Sequence, residues 1–151
     1  MKKVVKFGGS SLASAEQFRK VGEIIRSDEG RRYVVPSAPG KRYSDDIKVT
    51  DMLYDCYHAA AAGEDFGRKM SRIKARYQEI IDGLGLQLSL DEEFAEISEN
   101  FKNQAGNDYA ASRGEFLNGK IMANFLGYEF IDPAGYIFFD EEGVLDAEKT
   151  N

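Results

Sequence analysis

This chain has little of the chemistry that a disulfide framework or a zinc centre needs. Its 151 residues include one cysteine, Cys56, and one histidine, His58. A single cysteine excludes a disulfide within the chain and fits a reducing cytoplasm. One cysteine and one histidine cannot supply the four ligands of a structural zinc site. Both residues lie in a run rich in alanine and tyrosine, so we expect a buried cysteine and a structural or exposed histidine.

The sequence also lacks long apolar runs and an excess of positive charge. Residues 4–7 are interrupted by Lys6 and followed by Gly8, which is untypical of a signal peptide. No apolar stretch approaches the length that spans a membrane. The formal net charge is −6, whereas nucleic-acid-binding proteins usually present a basic stripe to phosphates. We therefore expect a cytoplasmic protein that binds neither membrane nor nucleic acid.

The most informative segment is the beginning of the chain, residues 2–11, which read KKVVKFGGSS. The pattern predicts a short strand with a lysine near its end, a glycine turn and then a helix. Glycine lets backbone N–H groups approach an anion closely, and the start of a helix directs free N–H groups and its positive dipole end toward the same point. Lys6 adds a full positive charge. The arrangement favours phosphoryl transfer.

Two well-known phosphate-binding sequences are absent from the chain. No G-x-x-x-x-G-K-[ST] loop occurs, and the glycines do not follow the G-x-G-x-x-G spacing of dinucleotide-binding proteins. A Gly-Gly turn by itself is a weak signal. From the residues alone, an ordinary strand–turn–helix junction with a solvated Lys6 is an equally good interpretation.

Five segments, in this order, resemble the aspartokinases, which phosphorylate the side-chain carboxylate of aspartate with ATP. They are residues 6–11 (KFGGSS), 33–38 (YVVPSA), 48–53 (KVTDML), 112–115 (SRGE) and 130–134 (FIDPA). The resemblance implies a three-layer α/β/α sandwich with a mainly parallel sheet. It also implies that the product is aspartyl phosphate, on the route to lysine, threonine and methionine.

The resemblance assigns the phosphate chemistry to the first of these segments. Lys6 is the expected catalytic residue, and together with Gly8, Gly9 and Ser10 it is expected to bind the phosphates of ATP. Because the substrate carboxylate is already a nucleophile, the protein has to supply alignment and neutralisation of charge. Mg²⁺ would be held mainly through the nucleotide phosphates, so no metal-binding residue is expected.

The resemblance assigns the amino-acid substrate to four residues on other segments. Ser37 and Ala38 follow a strand end, where open α/β sheets bind ligands, and Thr50 is expected nearby. Glu115 is expected to accept the ammonium group of aspartate. From the residues alone, Glu115 could instead be a surface carboxylate paired with a neighbouring helix residue, Arg113 or Lys120.

Apolar spacing and capping residues predict strands separated by helices, and hence parallel pairing. Residues 2–7 are a predicted strand, and Ser14 and Gln17 form a predicted capping box for a helix that Gly30 ends. The apolar stripe expected on that helix is Phe18, Val21, Ile24 and Ile25. A buried strand is expected at 33–35, ended by Pro36, followed by a mobile surface loop at 39–48. Helices are expected at 50–63, at 66–83, from Asp91 onward and at 107–127. Two further strands are expected at 128–132 and 136–139, with Asp132 ordering the turn at Pro133.

Aspartokinases are considerably longer than this chain. The resemblance therefore implies that residues 1–151 are the N-terminal, amino-acid-binding part of a catalytic domain, without the nucleotide-binding half and the regulatory domains. We expect aspartate and ATP as small-molecule partners, and a homo-oligomer. Two alternatives stay open: a sibling kinase that acts on glutamate, acetylglutamate or a nucleotide, and a non-catalytic module for amino-acid binding or assembly.

Overall fold

The elements begin with the predicted strand–helix–strand unit. A computed structural model describes residues 1–136, 141 and 145–150. Its elements are strand β1 (Lys3–Phe7), a 3-10 helix (Gly9–Leu12), helix α1 (Ala15–Arg26), strand β2 (Arg31–Pro36), helices α2 (Val49–Ala61), α3 (Gly67–Gly83), α4 (Asp91–Lys102) and α5 (Asn107–Leu126), a second 3-10 helix (Pro133–Gly135) and a short helix α6 (Ala147–Thr150). The chain is thus α/β, as predicted.

The two strands pair in parallel and form one sheet. The register places Lys6 beside Val35 and Phe7 beside Pro36. Pro36 ends β2, as predicted, and the pairing continues past it because the Ser37 N–H donates to the Phe7 carbonyl oxygen at 3.0 Å. The carboxyl ends of both strands therefore lie side by side.

One face of this sheet packs on helices and the other is open. Val5 and Val34 pack against the core, whereas Val4, Tyr33 and Val35 are 70%, 49% and 47% exposed. The prediction that residues 33–35 form a buried strand is therefore wrong. Successive side chains of a strand point to opposite faces, and within the described ranges helices cover one face.

The hydrophobic core lies mainly between the helices. Apolar residues at helical spacing in the sequence predict one buried face on α3 and one on α4. The side chains on these two faces are buried: Met70, Ile73, Tyr77, Ile80, Ile81, Phe94, Ile97 and Phe101. Phe66, which the same spacing assigns to α3, precedes that helix and is partly buried. Helices α2 and α5 face α3 and α4 with Leu53, Cys56, Leu117 and Ile121, all fully buried. In α1, Ile24 is 48% exposed because it lies about 100° around the helix from the buried Ile25.

The ends of the helices agree with the sequence in part. Ser14 caps α1, and its Oγ accepts the Gln17 N–H at 3.3 Å. Gly127, with φ of +74°, follows α5 as predicted. Two predicted helix ends differ from the structure. Helix α1 ends at Arg26, four residues before Gly30. The cap position of α2 is Lys48, two residues before the predicted Thr50, which therefore lies within the first turn.

Two connecting segments differ from their predictions. The loop at 39–48 is not wholly at the surface, because Pro39 and Gly40 are buried and Asp46 is held by arginines described below. Residues 128–132 form no strand; there the Phe130 ring packs on Phe116 of α5, with centroids 5.6 Å apart. Asp132 does order its turn, since its Oδ1 accepts the Ala134 N–H at 3.0 Å. Tyr136 lies in a turn, and the rest of the strand predicted at 136–139 lies outside the described residues.

Candidate functional site

The glycine turn after β1 leads into a 3-10 helix and not directly into α1. Gly8 precedes that 3-10 helix and its carbonyl oxygen accepts the Ser11 N–H at 3.2 Å. The N–H groups of Gly9 and Ser10 donate to no backbone carbonyl in the described part of the chain. The long helix α1 begins only after this turn, at Ala15, with Ser14 as its predicted cap. The free donors at this turn belong to the 3-10 helix.

Lys6 stands near the carboxyl end of β1, next to this turn. Lys6 is exposed, and no carboxylate within the described ranges forms an ion pair with its ammonium group. By contrast, Lys3 on the same strand pairs with Asp28 at 2.5 Å. The ammonium group of Lys6 is therefore available to an anion.

The segment that follows β2 lies directly on the glycine turn. The Gly40 N–H donates to the Gly9 carbonyl oxygen at 2.8 Å. A Cβ atom at Gly9 would lie 2.9 Å from the Ala38 carbonyl oxygen and 3.1 Å from the Gly40 nitrogen. Position 9 therefore has to be glycine for the two strand ends to meet, which brings the predicted phosphate-binding and substrate-binding segments together.

Helix α5 contacts the segment after β2 through Gly114 and Asn118. A Cβ atom at Gly114 would lie 2.6 Å from the Ala38 Cβ, so the helix backbone touches the segment after β2. The Asn118 Nδ2 donates to the Ser37 carbonyl oxygen at 2.8 Å. Sequence reasoning missed Asn118, although an isolated polar residue on a buried helix face next to Leu117 and Ile121 is a visible signal.

Glu115 lies between these two contact residues of α5 and is exposed. The alternative that it pairs with Arg113 or Lys120 is not realised. The Arg113 guanidinium stacks on Phe116, 4.3 Å from the ring centroid, and Lys120 pairs with Glu93 at 3.1 Å. No described side chain forms a hydrogen bond or an ion pair with the Glu115 carboxylate. It is thus free to take a cationic group.

The charge of Glu115 acts on a buried tyrosine behind it. Tyr77 of α3 is fully buried, and its hydroxyl donates to the Gly114 carbonyl oxygen at 2.8 Å. Burial, assisted by the negative charge of Glu115, raises the pKa of Tyr77 well above its ordinary value. The tyrosine therefore stays a neutral donor and holds the helix turn that carries Glu115.

Thr50 is half-buried in the first turn of α2. The adjoining Val49 N–H donates to the Pro39 carbonyl oxygen at 3.1 Å, which ties the start of α2 to the segment after β2. The hydroxyl of Thr50 has no hydrogen bond to another predicted site residue. Thr50 therefore lies in a helix turn that is bonded to the segment after β2, but its side chain makes no hydrogen bond to the other predicted site residues.

An arginine–carboxylate network fixes the loop between Gly40 and α2. Arg76 of α3 is 5% exposed and donates to the carbonyl oxygens of Gly40 and Ile47 at 2.9 and 3.0 Å. Its Nη1 lies 3.4 Å from Asp46 Oδ2, which also accepts Arg42 Nε at 2.7 Å. The hydrogen bond from Arg42, with smaller help from backbone N–H groups and Arg76, holds the pKa of Asp46 well below its ordinary value. The network holds Gly40 in the position from which it contacts the glycine turn.

A long groove adjoins the site on the β2 side. It runs between the end of α1, β2, α5 and residues 128–134, and Pro36 and Glu115 contribute to its lining. Gly8, Gly9 and Ser10 lie outside it. Among the described residues no three histidine, cysteine or acidic side chains are placed to hold a metal ion. None of the helices in this part of the chain is long and apolar enough to cross a bilayer.

Comparison with known proteins points to one family. The sequence matches the amino acid kinase family over residues 1–149. It is 37% identical to aspartokinase 3 of Bacillus subtilis over 93% of this chain and 34% of that protein. Its structure resembles the crystal structure of Clostridium acetobutylicum aspartate kinase with a TM-score of 0.92 and 48% identity, over 99% of this chain and 35% of that one.

A more distant likeness concerns the fold alone. A structure of Escherichia coli aspartokinase III in complex with aspartate and ADP matches 99% of this chain and 36% of its own with a TM-score of 0.76 and 21% identity. The chain thus spans about a third of the length of the relatives it matches. These likenesses confirm the predicted α/β amino-acid-kinase fold. The chain belongs to the amino acid kinase family.

Proposed function

We propose that this chain is part of an ATP-dependent kinase that phosphorylates the side-chain carboxylate of L-aspartate to aspartyl phosphate. The observation that carries the proposal is the likeness to Clostridium acetobutylicum aspartate kinase, at 48% identity and a TM-score of 0.92 over 99% of this chain. The meeting of the two strand ends with α5 supports it, because the segment after β2 touches the glycine turn at Gly9 and touches α5 at Gly114.

The phosphate side of the reaction falls to Lys6 and the turn after it. Lys6 has no ion-pair partner in the described part of the chain, and the N–H groups of Gly9 and Ser10 are free. A lysine and free N–H groups at one turn suit the oxygens of a transferring phosphoryl group. Lys6 would neutralise the charge that develops there, and Gly8, Gly9 and Ser10 would hold the phosphates of ATP. Mg²⁺ would arrive with the nucleotide, held mainly through its phosphates, and would neutralise part of their charge.

The amino-acid side of the reaction falls to the segment after β2 and to α5. Glu115 offers an unpaired carboxylate to the ammonium group of aspartate, and a charge-assisted hydrogen bond of this kind contributes about 1.5–3 kcal/mol. Ser37 and Ala38 lie against the glycine turn and would contact the substrate there. Thr50 would contact the substrate from the start of α2. With both reactants aligned, a carboxylate oxygen of the substrate attacks the γ-phosphorus in line, the bond from that phosphorus to the β–γ bridging oxygen breaks, and ADP leaves.

The chain would serve as the amino-acid-binding part of the catalytic domain. It spans about a third of the relatives it matches, so the nucleotide-binding half and any regulatory domains of the kinase would come from outside residues 1–151. We propose a cytoplasmic enzyme and a homo-oligomer, with aspartate and ATP as partners.

The proposal is tested by ADP release from MgATP in the complete protein that contains this chain. We expect turnover with L-aspartate at ordinary enzyme rates, on the order of 1–10³ per second, and little with L-glutamate or N-acetyl-L-glutamate. Turnover with glutamate or acetylglutamate in place of aspartate would instead establish a sibling kinase. Saturable aspartate binding in the absence of turnover would establish the binding module.

A further inference from the structure

Asn118 is a fully buried polar side chain whose amide is only half satisfied. Its Nδ2 donates to the Ser37 carbonyl oxygen at 2.8 Å, and its Oδ1 has no hydrogen-bonding partner among the described residues. Its neighbours Leu117 and Ile121 are buried and apolar. A buried oxygen without a donor lowers stability, so packing alone would favour an apolar residue of similar size. The hydrogen bond to Ser37 offers another reason for an asparagine at this position.

That hydrogen bond fixes the orientation of the peptide between Ser37 and Ala38. The peptide is trans, and in a planar trans peptide the C=O and N–H groups point in opposite directions. Because the Ser37 carbonyl points to Asn118, the Ala38 N–H points away from the Asn118 side chain. This N–H donates to no acceptor in the described part of the chain. Asn118 therefore fixes the direction of the Ala38 N–H and leaves this donor without an acceptor among the described residues.

The same peptide is held from two further directions. The Ser37 N–H is bound to the Phe7 carbonyl oxygen at 3.0 Å, which ties the segment to the end of β1. Ala38 is wedged between Gly9 and Gly114, both of which leave no room for a Cβ atom. Rotation of the peptide plane is the freedom that these contacts leave, and the hydrogen bond from Asn118 removes it.

We propose that Asn118 is a positioning residue, which holds the Ser37–Ala38 peptide so that the Ala38 N–H binds a carboxylate of the amino-acid substrate. The inference rests on the proposed function. A donor that is already oriented needs no reordering when the anion arrives. Loss of Asn118 should therefore weaken the use of the amino acid and leave the use of ATP unchanged.

The test compares Asn118→Leu and Asn118→Met in the complete protein that contains this chain. Both variants keep the approximate side-chain volume, and neither side chain has a hydrogen-bond donor. Asn100→Leu is the matched control, because the Asn100 Nδ2 donates to the Tyr109 hydroxyl at 2.8 Å, away from the segment after β2. We expect the KM for aspartate to rise about tenfold in both Asn118 variants, as for the loss of one hydrogen bond. The kcat and the KM for ATP should stay within about twofold, and the control should resemble the wild type.

The outcomes separate the two proposals. A wild-type protein that does not turn over aspartate refutes the proposed function. Two results with an active wild type would overturn the positioning role. In the first, the Asn118 variants have the same kinetics as Asn100→Leu. In the second, their kcat falls and their KM for ATP rises together with the KM for aspartate. If the variants do not fold, the inference is tested on the wild type, labelled with ¹⁵N-alanine and titrated with aspartate in a nuclear magnetic resonance experiment. The Ala38 amide resonance has to shift on saturation, and an unmoved resonance overturns the inference.

Discussion

Gly114→Ala tests whether α5 touches the segment after β2 as closely as the structure shows. The added methyl carbon would lie 2.6 Å from the Ala38 Cβ, about 1 Å inside the usual separation of non-bonded carbon atoms. Relieving such a contact in a packed interior costs about 1–3 kcal/mol. The helix itself gains about 0.5–1 kcal/mol from alanine. We therefore expect a net loss of about 1 kcal/mol, up to about 2.

Gly119→Ala on the same helix is the matched control. There the added methyl would meet the Cε2 atom of Phe130 at 3.0 Å, the end of a side chain that can turn away. The gain in helix propensity is the same in both variants and cancels in their comparison. Gly119→Ala should therefore be neutral or slightly stabilising, and the two variants should differ by about 1–3 kcal/mol.

Urea unfolding of the two variants, followed by far-ultraviolet circular dichroism, measures this difference. The midpoint of Gly114→Ala should fall at an unchanged slope, because the surface exposed on unfolding stays the same. In the complete kinase the same variant should also raise the KM for aspartate, since the shift of about 1 Å displaces Ala38. Equal midpoints for the two variants would refute the contact between α5 and the segment after β2.

Three further predictions follow from the site. Lys6→Ala in the complete protein should lower kcat by about 10²–10³ with a small change in the KM for aspartate; a change confined to KM would make Lys6 a ground-state binding residue. The folded-state pKa of Asp46 is lowered, so the unfolded state binds more protons and the wild type loses stability as pH falls below about 4; Asp46→Asn should flatten urea midpoints plotted against pH over that range. Burial raises the pKa of Cys56 to about 11, so iodoacetamide at pH 8 should label the thiol only after denaturation, and rapid labelling of the native chain would contradict its burial.

The helices could be predicted from the sequence because their signals are local. Phe94, Ile97 and Phe101 recur at helical spacing and are all buried in α4. Ser14 and Gln17 are three residues apart, and their cap forms as predicted. Each of these features depends on residues within one or two turns, so it needs no knowledge of the rest of the fold.

The strands and the loop could not be predicted as well because their state depends on distant partners. Tyr33 and Val35 have the composition of a buried strand, yet their exposure follows from which sheet face the helices cover. The loop at 39–48 is polar, yet Arg76, thirty residues after Asp46, anchors it. A buried salt bridge of this kind leaves no periodic pattern in the sequence.

The resemblance predicts the candidate site in outline, whereas the residues that support its shape could not be predicted. Lys6, Gly9 and Ala38 stand in segments that resemble aspartokinases, and the structure brings their segments together. Asn118 lies 81 residues from Ser37, and its role depends on the direction of a single carbonyl group. Such a contact is fixed by tertiary packing, which sequence spacing does not encode.

Glu115→Gln tests the amino-acid end of the site. The substitution keeps the shape of the side chain and removes its charge, and Glu115 has no described partner whose loss would disturb the fold. The loss of a charge-assisted hydrogen bond to the substrate ammonium, about 1.5–3 kcal/mol, corresponds to about one to two orders of magnitude in kcat/KM for aspartate. The KM for ATP should stay nearly unchanged.

Glu93→Gln on α4 is the control for Glu115→Gln, since Glu93 pairs with Lys120 at 3.1 Å and belongs to no predicted site. The two variants can be compared by steady-state kinetics at saturating MgATP with aspartate varied. Equal kcat/KM for aspartate in wild type and Glu115→Gln would show that the ammonium group binds elsewhere. A loss as large in Glu93→Gln would assign the effect to the stability of α5 and not to substrate binding.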